Sequence, residues 1–350
     1  MRQVLVVCHS IVTVWSHRVA LAAVIVTAVA CASDPSAPVN RPYDVAFDAM
    51  WNAFDAQYPY FEYKQVDWSA QQTTYRGQAA SAASIDEFVA AVHGAVEPLR
   101  DAHVWFEDPV GAFHPTYTAT AFVNWDQTVW LAYMTGTPYS QVRPSLATTE
   151  VGGVPYLSVG AWNDAQISIA DLDAALERFR GRTSLIIDVR PNSGGDDGLA
   201  LALAERFTTT SVTGEYLQTR TGPRHGNLSP EQPRTIAARG SWQFTGRVYV
   251  LAGRRSASST ETFVAFMQEI PGVTVVGDTT AGESGNPAPV ELTGGWKIWM
   301  PRWLVRTAQH RIVEWQGIPP GIVVPATAAD FAAGRDPVLD YAVAALRSGP

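Results

Sequence analysis

Apolar side chains recur at helical spacing over residues 43–100. Phe47, Met50, Trp51 and Phe54 fall on one face of a helix. Ser84 and Glu87 form a capping-box pair ahead of the apolar run 88–92. A small helical subdomain is therefore expected at 43–103. Over 104–160 the pattern changes. The runs 129–134 and 154–159 have the length and composition of strands. Beyond them the segments alternate. An amphipathic stretch at 171–179 precedes a buried strand at 185–189 and an apolar helix at about 199–207. A strand at 247–251, a helix at 261–270 and a strand at 273–276 follow. Such alternation predicts an α/β layered core, here over 104–345.

The N-terminus reads differently. Arg18 precedes the apolar run 19–30, which ends in small residues before Cys31. This run suits a signal sequence and is short of the roughly twenty residues a spanning helix needs. Residues 1–30 are thus expected to be a signal peptide. Ala28-Val29-Ala30-Cys31 resembles a bacterial lipoprotein cleavage box, with Cys31 the lipidated residue and 31–42 a polar tether. A cell-envelope or secreted protein is expected, touching the membrane only through that anchor. Cys8 and Cys31 are the sole cysteines. The mature domain therefore has no disulfide, no thiol nucleophile and no cysteine-ligated metal.

Composition narrows the classes further. The 350 residues are 47% hydrophobic with a net charge of −8, and no Lys/Arg cluster is dense enough to track nucleic-acid phosphates. Lys64 and Lys297 are the only lysines.

Two strand-to-helix elbows carry candidate chemistry. The first, 188–195, ends in Gly194-Gly195, whose backbone N–H groups can face an anion. The second, 256–261, puts Ser258 at a helix N-terminus, where the local field favours developing negative charge. Either element alone has a plain structural explanation. Ser258 with Glu261 is also a capping box, and Gly-Gly is also a turn.

Together these segments resemble the superfamily of carboxy-terminal processing peptidases, the tricorn protease core and the interphotoreceptor retinoid-binding protein. Asp188 to Gly195 looks like its D-x-R-x-N-x-G-G strand end. Residues 256–263 look like its S-A-S-A-S-E-x-F elbow, and 275–282 like its V-x-G-x-x-T-x-G segment. Leu99 to Val104 resembles L-x-D-G-H-T, and Glu314 to Pro320 resembles E-x-x-G-V-x-P-D. The resemblance spans roughly 43–325 and implies a ClpP/crotonase-like layered fold with no cofactor and no metal. It implies a serine peptidase acting on peptides or unfolded chains through an acyl-enzyme, with Ser258 as nucleophile. Ser259 and Gly194 or Gly195 would supply the oxyanion N–H groups.

The general base divides the superfamily. Processing peptidases use a lysine after the T-x-G segment, where this chain has Glu283. Nothing in the sequence brings Lys64 or Lys297 to Ser258. The resemblance to the tricorn-like branch instead implies His103 as base and Glu314 as its orienting carboxylate, with Asp101 the runner-up. His93, His114, His225 and His310 are expected to be structural. The chain departs from the tricorn pattern at Ala102, where a serine precedes the histidine, and at Gly321, where Asp is usual. The 105–150 stretch is too short for a peptide-capturing PDZ domain. Two other readings compete: a catalytically weak or inactive apolar-ligand or peptide binder, and a crotonase-type acyl-thioester enzyme. Export away from coenzyme A argues against the last. Oligomeric state is left open by the sequence.

Overall fold

The core strands are continuous apolar runs, which is what a parallel sheet covered on both faces requires. The structure is a computed structural model and describes residues 43–348. The expected signal peptide (1–30), Cys31 and the tether lie outside the described residues. Helices α1 (Tyr43–Gln57), α2 (Phe61–Lys64), α3 (Trp68–Ser81) and α4 (Ile85–Val96) come first. They are followed by β1 (Trp105–Glu107), β2 (Phe113–Pro115), α5 (Gln127–Met134), β3 (Ser140–Arg143), β4 (Leu146–Val151) and β5 (Val154–Val159). Then α6 (Ile169–Glu177), β6 (Ser184–Asp188), α7 (Asp197–Ala204), β7 (Val212–Gln218), β8 (Gln232–Ile236), β9 (Arg247–Ala252), α8 (Ser259–Gln268) and β10 (Val273–Gly277) complete the alternating part. The chain ends through β11 (Pro287–Glu291), β12 (Lys297–Pro301), β13 (Leu304–Thr307), β14 (Ile322–Val323), α9 (Ala328–Ala332) and α10 (Pro337–Arg347).

The central sheet runs β14-β10-β9-β6-β5-β4-β3, with β5, β6, β9, β10 and β14 parallel. Alternation along β6 explains its two-sided burial. Leu185 and Ile187 join one core with α6, α7 and α8, while Ile186 joins another with Val338, Leu339 and Ala342 of α10. The helical region packs on the four-stranded sheet β11-β12-β1-β2. Phe47, Phe54, Trp68 and Phe88 share a core with Phe106, Trp296 and Ile298. The described residues, 43–348, fall in one compact unit.

One expected strand is a helix. Residues 129–134 lie in α5, because Asp126 caps it through the Val129 N–H at 2.9 Å. An Asp three residues ahead of an apolar run was the overlooked signal.

The register places the two elbows together. In the β6–β9 pairing Asp188 lies opposite Leu251, so both strands end at one level and their following loops meet there. Arg190 fixes that level. Its guanidinium is fully buried, bonded twice to Asp188 and twice to Asp336 at the start of α10.

Candidate active site

The second elbow is sharp because β9 must turn into α8 within a few residues. Ser258 sits at φ 56°, ψ −125°, whereas an ordinary N-cap is extended. Such backbone costs about 1–3 kcal/mol and is held only where surroundings fix it. The surroundings are specific. Ser258 N–H donates to the Glu283 carbonyl at 3.0 Å and to Glu261 Oε2 at 3.3 Å. Ser256 Oγ donates to the Val189 carbonyl at 3.0 Å, tying this elbow to the first.

The three serines of the elbow are thereby sorted. Ser256 is wholly buried and locked to backbone. Ser259 Oγ donates to the Gly195 carbonyl at 2.6 Å. Ser258 Oγ instead lies 3.1 Å from His103 Nε2. His103 is nearly buried, and its backbone N–H donates to Asp101 Oδ1 at 2.9 Å. Burial holds the imidazole pKa below its usual value, against the raising effect of Asp101 and the Ser284 backbone. A neutral ring with a free Nε2 lone pair can accept a hydroxyl proton.

The glycines separate as well. Gly194 N–H is taken by Asn192 Oδ1 at 2.9 Å, so it is not a spare donor, which corrects the expectation of either glycine. Gly194 must still lack a side chain, since a Cβ there would stand 2.7 Å from Ser258 Cβ. Among the described residues no acceptor takes the N–H of Gly195 or of Ser259. Both residues line the same cavity of about 290 Å³ as His103 and Ser258. The ionisable side chains of its wall, besides His103, are Asp197, Arg234, Glu215 and Glu261. Arg234 pairs with Asp197 at 2.8 Å and Glu215 at 3.3 Å, and burial pushes the Glu215 carboxyl up to about 7.

No hydrogen bond joins Glu314 to His103; the buried Nδ1 meets no carboxylate, and the Ser284 backbone faces the ring. Glu314 Oε2 accepts instead from Ser284 N–H at 3.1 Å and Ser284 Oγ at 3.2 Å. Its Oε1 accepts from Lys64 Nζ at 2.7 Å, and Lys64 also bonds Asp101 Oδ2 at 2.9 Å. Burial and the Asp101 charge push the Glu314 carboxyl up while Lys64 draws it down, and for Lys64 the lowering effect of burial is outweighed by Asp101 and Glu314, which hold its pKa above the ordinary value. Neither Lys64 nor Ser284 was singled out as part of the site from sequence. Lys64 lies some 190 residues from the elbow in sequence, and only packing of α2 brings it near. Lys297 pairs with Glu291 at 3.2 Å on the exposed sheet. His114, His225 and His310 pair with Asp108, Asp55 and Glu231.

Among the described residues no cluster of His, Cys, Asp and Glu could hold a metal, and no helix is long and apolar enough to cross a membrane.

Comparisons agree with this architecture. Residues 153–324 match Peptidase family S41, and residues 41–92 match the tricorn protease C1 domain. No curated protein matches the chain significantly. Among solved structures, a protein from Parabacteroides merdae ATCC 43184 that carries a peptidase assignment is 25% identical, with a TM-score of 0.78. That alignment covers 88% of this chain and 97% of that one. Mature CPAF complexed with lactacystin shares the fold at 11% identity and TM-score 0.62, covering 86% and 97% of the two chains. The tricorn protease does so at 14% and 0.57, covering 87% of this chain and 36% of its own.

Proposed function

The chain belongs to peptidase family S41, and from that premise we propose that it is a serine peptidase of the tricorn-like branch without a PDZ domain, hydrolysing peptide bonds by a Ser258–His103 mechanism. The observation that carries the reading is the 3.1 Å contact of His103 Nε2 with a serine hydroxyl on a strained elbow.

Ser258 Oγ attacks the scissile carbonyl carbon as His103 Nε2 takes its proton. The carbonyl oxygen becomes an oxyanion and receives the N–H groups of Gly195 and Ser259, donors that need no reorganisation. The C–N bond then breaks, and His103 returns the proton to the leaving amine. Water attacks the acyl-enzyme with His103 again as base, and collapse frees the acid and Ser258. Glu314 acts on this site through Ser284 rather than on the imidazole directly. The substrate is a peptide or unfolded chain, one side chain of which enters the 290 Å³ cavity.

The test is a fluorophosphonate probe with the modified residue located by mass spectrometry. Label on Ser258, lost in Ser258→Ala, is expected, together with cleavage of an unfolded protein substrate. A folded chain that takes no label would instead be a peptide or apolar-ligand binder. The leader and Cys31 support an envelope location. Incorporation of labelled fatty acid that persists in Cys31→Ala would refute the anchor.

A further inference from the structure

Lys64 is one of two lysines in the chain, and its side chain is wholly shielded from water. An ammonium so placed costs several kcal/mol to desolvate unless its partners are well arranged. They are. Nζ lies between Asp101 and Glu314 and over the rings of Tyr58, Tyr60 and Trp315, at 5.6, 5.4 and 5.0 Å from their centroids. What matters is what each carboxylate does with its second oxygen. Asp101 Oδ1 accepts the backbone N–H of His103. Glu314 Oε2 accepts the N–H and hydroxyl of Ser284, whose own backbone faces the imidazole. A single cation therefore joins the loop that carries the base to the strand connection beside it.

The usual device for orienting such a histidine is a carboxylate on Nδ1. Here no carboxylate meets Nδ1 and the Ser284 backbone faces the ring instead, so the ring's position rests on the main chain at 101–103 and 284. We propose that Lys64 is the positioning residue of the site, a buried clamp that holds the His103 loop through Asp101 and the Ser284 segment through Glu314. It is not the base, because both of its strong contacts are carboxylates and its charge is retained. Its charge also acts on the ring. The groups facing His103 are Asp101 and Asp197, which favour the imidazolium, and Lys64, which opposes it. Tyr58, bonded to Asp101, and Tyr60, bonded to Ser284, complete the surroundings. The inference rests on the hydrolytic reading above.

The experiment measures the rate of Ser258 labelling against pH in the full chain, with melting temperature recorded alongside. Lys64→Met should label at least tenfold more slowly at pH 7, with its midpoint moved to higher pH. A second variant, Lys64→Met with Asp101→Asn and Glu314→Gln, removes the stranded carboxylates. It should melt closer to the native chain than the single variant yet still label at least tenfold more slowly. Native-like rate and midpoint in either folded variant overturn the clamp, provided the native chain labels at Ser258. Absence of Ser258-dependent labelling in the native chain refutes the hydrolytic reading itself, and the clamp with it.

Discussion

Gly195→Ala isolates the oxyanion donor from the nucleophile and the base. Gly195 has φ +133°, a region closed to alanine. A Cβ there would stand 1.9 Å from the Trp162 carbonyl oxygen and 2.7 Å from its carbon. An ordinary carbon–oxygen contact is about 3.3 Å, so the backbone at Trp162 must yield by roughly 1.4 Å. It cannot yield freely. Trp162 N–H is bonded to the Gly194 carbonyl at 3.1 Å, and Asp196 N–H to the Trp162 carbonyl at 2.7 Å. Backbone strain and overpacking together should lower stability by about 2–4 kcal/mol, or roughly 3–6 °C in melting temperature for a domain of this size. Displacing one preorganised donor by that distance should slow Ser258 labelling and peptide hydrolysis by about 10²–10³-fold. Gly334→Ala is the control. It has φ +71° with nothing within 4 Å of a Cβ, so it should cost about 1–2 kcal/mol and leave the labelling rate unchanged. The assay is stopped-time probe labelling below the melting temperature of each variant. Gly195→Ala that melts early but labels at the native rate would refute the assignment of this N–H.

Ser256→Ala should lose about 1–3 kcal/mol by stranding the Val189 carbonyl and Gly253 N–H, and still take the probe, because its hydroxyl is structural. A Ser256→Ala chain that is folded but unlabelled would contradict the choice of nucleophile. Labelling should rise with pH through a midpoint below the ordinary histidine value of 6.5, since burial depresses His103. The linkage has a definite sign. Unfolded His103 binds its proton more readily, so its stability contribution is present above about pH 6.5 and is lost as pH falls through the folded pKa. Melting of His103→Gln measured across this window should lack that dependence. Arg190→Met breaks a buried pairing with Asp188 and Asp336 and should cost about 3–5 kcal/mol in chemical denaturation. A loss under 1 kcal/mol would show that the elbows do not depend on it.

The sequence by itself determined the local elements wherever period and end signals agreed. The strand 184–188 and the helix after Ser258 follow from apolar runs and from the turn residues at their ends. Only the competition between an apolar run and its Asp126 cap misled it, at α5. The motifs also marked Ser258 and His103, because residue type and order carry that information without geometry. What only the tertiary structure decided is how the partners divide their bonds. Gly194 and Gly195 are identical in sequence, but a hydrogen bond from Gly194 N–H to Asn192 leaves Gly195 as the donor with no acceptor. Glu314 has a carboxylate suited to an imidazole, but Ser284 stands between. Lys64 carried no local signal, because desolvation and pairing depend on what packs around an ammonium after α2 docks against the chain 250 residues later. Periodicity and motif are properties of neighbours along the chain. The allocation of each donor and acceptor is a property of neighbours in space.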